Sequence, residues 1–177
     1  HILLACWNHF STNWNFLRGG INLSFVSKFK YKRPLVLGLA KSGTAAASLL
    51  VDAGLEVRVN DLNGKDSDQT IQQLRAKGAE IILGAHPLSV LDTRDVVIKN
   101  PGISYDHPVL QEAMQRDIPI ITEVELAAVL AQGHDMIGVT GSNGKTTTTT
   151  LIYEMLAASN IPLNLAGNIG VLATAVA

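Results

Sequence analysis

The chain has 177 residues, of which 47% are hydrophobic and 16% are charged, and its formal net charge at pH 7 is −1. This composition suffices to bury one core and part of a second, which argues against a disordered chain. The near-neutral charge gives no basic field for nucleic acid, and the single cysteine, Cys6, excludes an intrachain disulfide framework.

Residues 1–32 are the least informative part of the sequence. Polar side chains interrupt their apolar residues, and no basic region precedes them as a signal peptide requires. No run of about 18 apolar residues predicts a membrane helix, so we expect no membrane partner. We interpret residues 1–32 as an unmatched lead segment. The first residue is His1 rather than Met, which favours a fragment or a processed chain.

From Pro34 onward, short apolar runs alternate with helical patterns. The run Pro34–Leu39 predicts a buried strand, Thr44–Ala53 a helix ended by Gly54, and Leu55–Asn60 a second strand. The pattern then predicts helices at 67–77, 108–116 and 123–131, and strands at 79–83, 95–99 and 118–121. This alternation predicts an α/β fold with a Rossmann-like, mostly parallel sheet whose two faces are covered by helices.

A second α/β unit is predicted to begin near Gln132–Asp135. Its strand at 136–139, its helix up to Ser159 and its strand at 161–165 surround a Gly-rich loop. We therefore expect a Rossmann-like substrate-binding domain at 33–133. The beginning of a truncated, P-loop ATP-binding domain is expected at 134–177.

Candidate ligand-binding residues follow three strands of the first unit, because ligands of parallel sheets bind beyond the carboxyl ends of the strands. They are Lys41, Ser42 and Gly43 after the first strand, Asp61 after the second, and Asn100, Pro101 and Gly102 after a later one. An acid in the position of Asp61 meets a ribose or base in Rossmann-like units, and its alternative role is a turn or helix cap. A Pro-Gly pair is also common in plain turns. Ala40 stands where a dinucleotide fingerprint has its second glycine, which disfavours an NAD site.

The second unit carries a candidate phosphate-binding loop. Its residues are Gly141, Ser142, Asn143, Gly144, Lys145, Thr146 and Thr147. The two glycines permit a tight turn of inward amides, Lys145 suits the β and γ phosphates, and the Thr146 hydroxyl suits Mg²⁺. The spacing is G-x-x-G-K-T rather than the strict G-x-x-x-x-G-K-[ST], so an ordinary glycine-rich helix start is the alternative.

Other polar residues carry no predicted chemistry. We interpret His86, His107 and His134 as solvated loop residues, since they lack metal-ligand spacing. The pairs Glu112/Arg116 and Glu123/Glu125 are interpreted as helix-surface and first-turn charges rather than as a catalytic carboxylate pair.

Five motifs stand in a fixed order along the chain. They are LGLAKSG at 37–43, KNPGI at 99–103, TEVELA at 122–127, TGSNGKTT at 140–147 and GNIG at 167–170. Together they resemble the Mur ligases, whose phosphate loop also has the G-x-x-G-K-T spacing. Asn143, where the L-alanine-adding enzymes typically have His, and the lack of a G-x-G-G-x-G turn favour the D-glutamate-adding branch.

The resemblance implies an ATP-dependent amide ligation in peptidoglycan biosynthesis, with UDP-N-acetylmuramoyl-L-alanine and D-glutamate as substrates. ATP and Mg²⁺ would be bound by the phosphate loop, with Lys145 and Thr146 as the catalytic residues. Leu62, with Asp61, would lie near the uracil and ribose, and Asn168 would contact the muramoyl substrate. The family's modified lysine, its second metal carboxylate and its D-glutamate domain are not matched, so we expect the chain alone to be inactive. We further expect a cytoplasmic monomer. The alternatives are another Mur-family or folylpolyglutamate-type ligase, a generic nucleotide-binding module, and an NAD-linked Rossmann protein.

Overall fold

The computed structural model describes residues 3–7, 28–130, 135–160 and 163–166. In chain order the elements are β1 Leu3–Trp7, β2 Pro34–Leu37, α1 Lys41–Asp52, β3 Arg58–Asp61, α2 Gln69–Ala76, β4 Glu80–Leu83, a 3-10 helix Leu88–Leu91, β5 Val96–Lys99, α3 Pro108–Gln115, β6 Ile120–Thr122, α4 Glu123–Leu130, β7 Asp135–Val139, α5 Lys145–Ala158 and β8 Leu163–Ala166. They form two compact units, Ile21–Leu126 and a second that combines His1–Gly20 with Ala127–Ala177.

The first unit contains a five-stranded sheet in the order β4-β3-β2-β5-β6. Every neighbouring pair is parallel, with β2 in the centre, as in the pairs Val36 with Val59 and Val36 with Ile98. Such a sheet must be covered on both faces, which explains why all four residues of β2 and of β5 are buried. The predicted Rossmann-like α/β fold is confirmed.

One face of this sheet is covered by α3 and the 3-10 helix. The cluster there comprises Leu35, Leu37, Val90, Leu91, Val97, Val109, Leu110 and Ala113, each no more than 1% exposed. Helix α1 packs against β2 and β5 and also contacts α2. Its buried residues are Gly43, Ala46, Ala47, Leu50 and Val51. The loops at the carboxyl ends of the strands therefore rest on a rigid, fully packed layer.

Three predicted boundaries around α1 are wrong. The first strand ends at Leu37 rather than Leu39, because Gly38 adopts φ +88° and turns the chain into a helix that begins at Lys41 rather than Thr44. The second strand begins at Arg58 rather than Leu55. Leu55 instead completes the end of α1, donating its N–H to the Leu50 carbonyl while Gly54, at φ +75°, donates to Val51.

In the second unit β7 and β8 lie on either side of β1 and are both antiparallel to it. The sequence did not predict the strand at Leu3–Trp7. Helix α5 follows β7 through the Gly-rich loop, as predicted. Across the described residues, no helix is both long and apolar enough to cross a membrane.

Candidate functional site

The turn between β2 and α1 is built on two glycines. Gly38 needs its positive φ to leave the strand, and its N–H donates to the Asn60 carbonyl at 2.8 Å. Gly43 has a different role, because a Cβ at this position would overlap the carbonyl oxygen of Gly38. The first turn of α1 can therefore lie directly against the end of β2. The helix start carries no side-chain cap, since its N-cap residue is Ala40.

A cleft of about 390 Å³ opens beside this turn. It is lined by Leu39, Ala40, Thr44, Asp61, Asn63, Gly64, Asp68, Thr70 and Ile71. The lining comes from the β2–α1 turn, the β3–α2 connection and the start of α2. The cleft thus lies at the carboxyl edge of the sheet, where the sequence predicted a ligand.

Asp61 joins the two loops that form this cleft. Its carboxylate accepts from the backbone N–H of Leu39 at 2.6 Å, and from those of Asn63 and Gly64 at 2.8 and 2.7 Å. Asp61 therefore caps the turn that follows β3, as the alternative role predicted from the sequence requires. The helix-cap alternative is wrong, because α2 is capped by Asp68, which accepts from the Thr70 N–H. Three amide donors hold the carboxylate at the cleft wall in one orientation.

The structure brings Asn100 and Ser42 together, although 58 positions separate them. Asn100 Nδ2 donates to Ser42 Oγ at 2.9 Å, and Asn100 Oδ1 accepts from the Gly102 N–H at 2.9 Å. The candidate residues after the first strand, 41–43, and those after the later strand, 100–102, are thus joined by a direct hydrogen bond. The absence of a side chain at Gly38 permits this close approach of the turn after β5 to the turn after β2. A Cβ at Gly38 would lie 3.0 Å from Ile103 Cδ1 and 3.2 Å from Asn100 Cβ.

Of the eight residues predicted for this site in the first unit, Asp61 lines the cleft and the other seven do not. Among these seven, Lys41 and Leu62 are exposed, with Leu62 at 51%. Pro101 and Gly102 are also exposed, in the turn after β5. Asn168 lies outside the described residues. The sequence missed Asn63, Asp68 and Thr70, and the only available signal was their position in and just after the β3–α2 connection.

Lys99 belongs to the KNPGI motif, but the sequence predicted no role for this residue itself. It is the last residue of β5 and is 5% exposed. Its ammonium donates to the carbonyls of Asn100 and Pro101 at 3.2 and 3.4 Å, and lies 4.8 Å from the centre of the Tyr105 ring. The sequence signal for this burial was the position of Lys99 at the end of an otherwise apolar run that forms a buried strand.

The interpretation of His86 and His107 as solvated is wrong. Both are partly buried, and their rings meet edge to face with centroids 4.6 Å apart. His86 Nδ1 lies 2.5 Å from Oδ1 of the buried Asn60. His107 Nδ1 accepts from the Val109 N–H and so caps α3, and burial together with the neighbouring His86 lowers the pKa of His107. His134 lies outside the described residues.

The three glutamates predicted as helix-surface or first-turn charges have structural contacts or positions, and one of them is buried. Glu112 pairs with Arg116 at 2.7 Å, as the spacing predicted. Glu125 accepts from both N–H and Oγ1 of Thr122 and so forms a capping box at the start of α4. Glu123, predicted as a first-turn charge, does lie in that turn but is 5% exposed.

The predicted phosphate loop turns on two glycines with positive φ. Gly141 and Gly144 adopt φ values of +146° and +75°, and Gly144 is the N-cap of the 14-residue helix α5. The Lys145 ammonium folds back on the loop and donates to the carbonyls of Gly141 and Ser142. Thr146 and Thr147 are exposed in the first turn. The loop and the start of α5 are thus open to solvent, with the lysine held against the loop.

Two domain families match this chain. Residues 32–122 match the family described as Mur ligase MurD-like, N-terminal domain, and residues 139–176 match the Mur ligase middle domain. A protein of Oceanobacillus iheyensis named UDP-N-acetylmuramoylalanine--D-glutamate ligase is 54% identical over 155 residues. These cover 88% of this chain and 34% of that protein.

Other relatives agree with this match. The protein of the same name from Bacillus subtilis is 52% identical over 145 residues, which are 81% of this chain and 32% of that protein. This chain therefore spans about a third of the length of the curated relatives it matches. A solved UDP-N-acetylmuramate-alanine ligase from Thermotoga maritima matches at 24% identity and a TM-score of 0.48, over 73% of this chain and 30% of that one. Because its MurD-like N-terminal domain match alone spans just over half of the residues, this chain belongs to the Mur ligase family.

Proposed function

We propose that this chain is the substrate-binding and nucleotide-binding part of an ATP-dependent ligase that joins D-glutamate to UDP-N-acetylmuramoyl-L-alanine in peptidoglycan biosynthesis. The observation that carries the proposal is the 54% identity, over 155 residues, to a ligase named for this reaction. The two domain matches support it, because a Mur ligase N-terminal domain match at 32–122 is followed by a Mur ligase middle domain match at 139–176.

The cleft beside Asp61 is proposed to hold the uridine part of the substrate. Its wall combines a fixed carboxylate with apolar groups such as Leu39 and Ile71, a suitable surface for a flat, polar-edged base. The start of α1 is proposed to receive the diphosphate. Its first N–H groups have no side-chain cap, which leaves them available to an anionic ligand.

The residues of the phosphate loop fit ATP with Mg²⁺. A Cβ at Gly144 would meet nothing within 4 Å, so the turn exposes bare backbone, and Lys145 needs only to leave two carbonyls to reach a phosphate. Thr146 would supply a hydroxyl ligand to Mg²⁺. Mg²⁺ in nucleotide sites is usually bound by one or two protein oxygens together with substrate phosphates, so the nucleotide phosphates are proposed as its further ligands.

Each part of the chain would contribute a distinct step. When bound, ATP supplies the phosphoryl group that converts the substrate carboxylate into one that an amine can attack. Lys145 would hold the charge that gathers at the phosphates, and the amides of α5's first turn would orient them. The first unit would fix the nucleotide end of the substrate. The proposed ligation consumes ATP, so we propose a cytoplasmic location. From the resemblance alone, we propose a monomer.

A ligation assay tests this proposal. The full-length gene product should form UDP-N-acetylmuramoyl-L-alanyl-D-glutamate, detected by mass spectrometry, only with ATP, Mg²⁺, the UDP substrate and D-glutamate together. L-Alanine offered with UDP-N-acetylmuramate serves as the matched control for the L-alanine-adding reaction. Product from the control pair but not from the D-glutamate pair would overturn the assignment within the family.

A further inference from the structure

Lys99 occupies an unusual position for a lysine. With 5% of its surface exposed, the residue is almost closed off from water, and its ammonium contacts two backbone carbonyls and an aromatic ring. Within the described residues, no carboxylate lies within 4.0 Å of it. Burying an ammonium is costly, so a hydrophobic residue would give a more stable strand end. The observed lysine therefore calls for a role beyond packing.

The contacts of Lys99 continue into a chain of hydrogen bonds. Its ammonium donates to the Pro101 carbonyl, which belongs to the trans peptide group between residues 101 and 102. In a trans peptide the C=O and the N–H point in opposite directions, so the N–H of this group faces away from Lys99. That N–H belongs to Gly102 and donates to Asn100 Oδ1. Because Oδ1 is the acceptor, the Nδ2 group of Asn100 must be the donor on the other side, and it donates to Ser42 Oγ.

Ser42 ends this chain with a usable donor. Its oxygen accepts from Asn100, and no acceptor for its own proton is hydrogen-bonded to it in the part of the chain that is described. Ser42 also lies in the first turn of α1, where the uncapped N–H groups favour an anion. Hydrogen bonds in such a chain polarise one another, so a positive charge at its start strengthens the donor at its end.

We infer that Lys99 is a positioning residue for the nucleotide-sugar site. It fixes the turn at 100–102 so that Asn100 holds the Ser42 hydroxyl ready to donate to a phosphate oxygen of the ligand. The inference rests on the proposed function, since it takes a uridine diphosphate as the bound group. Lys99 itself touches no ligand, and its effect reaches the diphosphate only through Asn100 and Ser42.

Calorimetric titration of the 177-residue chain with UDP and with uridine tests the inference. The variants are Ser42→Ala, Lys99→Met and the double substitution, with Lys77→Met as a control because Lys77 pairs with Asp52 on the surface, away from the cleft. Each single substitution should raise the Kd for UDP roughly tenfold, the loss of one charge-assisted or ligand-directed hydrogen bond. The double variant should bind no more weakly than Ser42→Ala alone, because both changes break the same chain. Uridine, which has no phosphate, should bind all four equally, and Lys77→Met should match the unaltered chain.

Unchanged UDP binding by Lys99→Met or by Ser42→Ala would overturn the inference. So would a double variant weakened by the product of the single effects, or an equal loss of uridine binding, which would indicate a collapsed cleft. Should the methionine variant fail to fold, Lys99→Gln keeps a polar head in the buried position and is judged by the same outcomes. An unaltered chain that does not bind UDP would instead contradict the proposed function.

Discussion

Gly43 controls how closely α1 approaches β2, through the absence of a single carbon atom. Replacing it with alanine should destabilise the first unit even though alanine favours a helix by about 1 kcal/mol over glycine. The added Cβ would overlap a backbone oxygen, that of Gly38, which cannot rotate away. Because the overlap is with backbone, we take the upper end of the usual overpacking cost, about 3 kcal/mol. The helix gain of about 1 kcal/mol offsets part of it, so we expect a net loss of about 2 kcal/mol in urea unfolding.

Gly64→Ala is the matched control for this prediction. A Cβ at Gly64 would meet Ile71 Cδ1 and Leu83 Cδ2 at 2.8 and 2.9 Å, but these are the ends of flexible side chains and can move. Its loss of stability should be below about 1 kcal/mol. Equal losses in the two variants would show that the approach of α1 to β2 is not limited by Gly43.

Lys145 is expected to supply most of the side-chain contribution to ATP binding. Lys145→Ala should weaken the binding of ATP with Mg²⁺ by about 10- to 100-fold, as expected for losing a hydrogen bond from a charged group worth roughly 1.5–3 kcal/mol. Calorimetry with Lys65→Ala as a surface-lysine control measures this. An unchanged Kd for ATP would indicate that the loop is an ordinary glycine-rich helix start.

The chemistry of the individual loops was only partly readable from the sequence. The positions of Ser42, Asp61 and Asn100 followed from the rule that ligands meet the carboxyl ends of parallel strands. Their partners did not, because Asn100 meets Ser42 across 58 positions and Lys99 becomes buried only when the turn after β5 folds over it. Such contacts depend on tertiary packing, which no local pattern records.

Helix α3 begins with a cap that depends on pH. Neutral His107 Nδ1 accepts the Val109 N–H, and the pKa of His107 is lowered from 6.5 by burial and by His86. The folded state therefore favours the neutral ring. The stabilisation is complete above pH 6.5 and is lost as the pH falls through the lowered value, because the unfolded chain binds the proton first.

His107→Asn should reduce this pH dependence. Asparagine retains a capping oxygen but does not titrate in this range. Urea midpoints at pH 5.5 and pH 7.5 should differ more for the unaltered chain than for the variant, with the unaltered chain less stable at the lower pH. An identical difference in both would show that His107 contributes nothing to the acid sensitivity.

Helices α1 and α5 differ in how well they are packed. Five residues of α1 are buried, whereas among the described residues of α5 only Thr149 is, and Leu151 and Met155 are 58% and 70% exposed. Helix stability in proteins comes mainly from a packed face. Hydrogen exchange followed by mass spectrometry should therefore show faster exchange in α5 than in α1. Comparable protection of the two helices would contradict this.

Element types were predictable, and their ends were less so. The apolar runs identified every strand of the five-stranded sheet because parallel strands buried on both faces leave continuous apolar segments. The start of α1 was misplaced by three residues, since Lys41, Ser42 and Gly43 look like loop residues until Gly38 turns the chain. The 3-10 helix at Leu88–Leu91 was missed because four residues carry too short a period to recognise.

The two compact units differ in how far the sequence anticipated them. The parallel sheet of the first follows from the regular alternation of strands and helices. In the second, β1 lies between β7 and β8 and runs antiparallel to both, a pairing between segments more than 120 residues apart. Nothing in the polar-interrupted lead segment predicted this strand. The proposed domain limits at 33–133 and 134–177 stay predictions.

The claim on which the account depends is that the first unit binds a UDP-linked sugar and not a dinucleotide. Calorimetric titration of the chain with UDP-N-acetylmuramoyl-L-alanine, and separately with NAD, measures this directly. We expect one site for the UDP substrate, unchanged in Lys145→Ala because that lysine belongs to the other unit, and no binding of NAD, whose pyrophosphate Ala40 would crowd. Tight binding of NAD with no response to the UDP substrate would contradict the account.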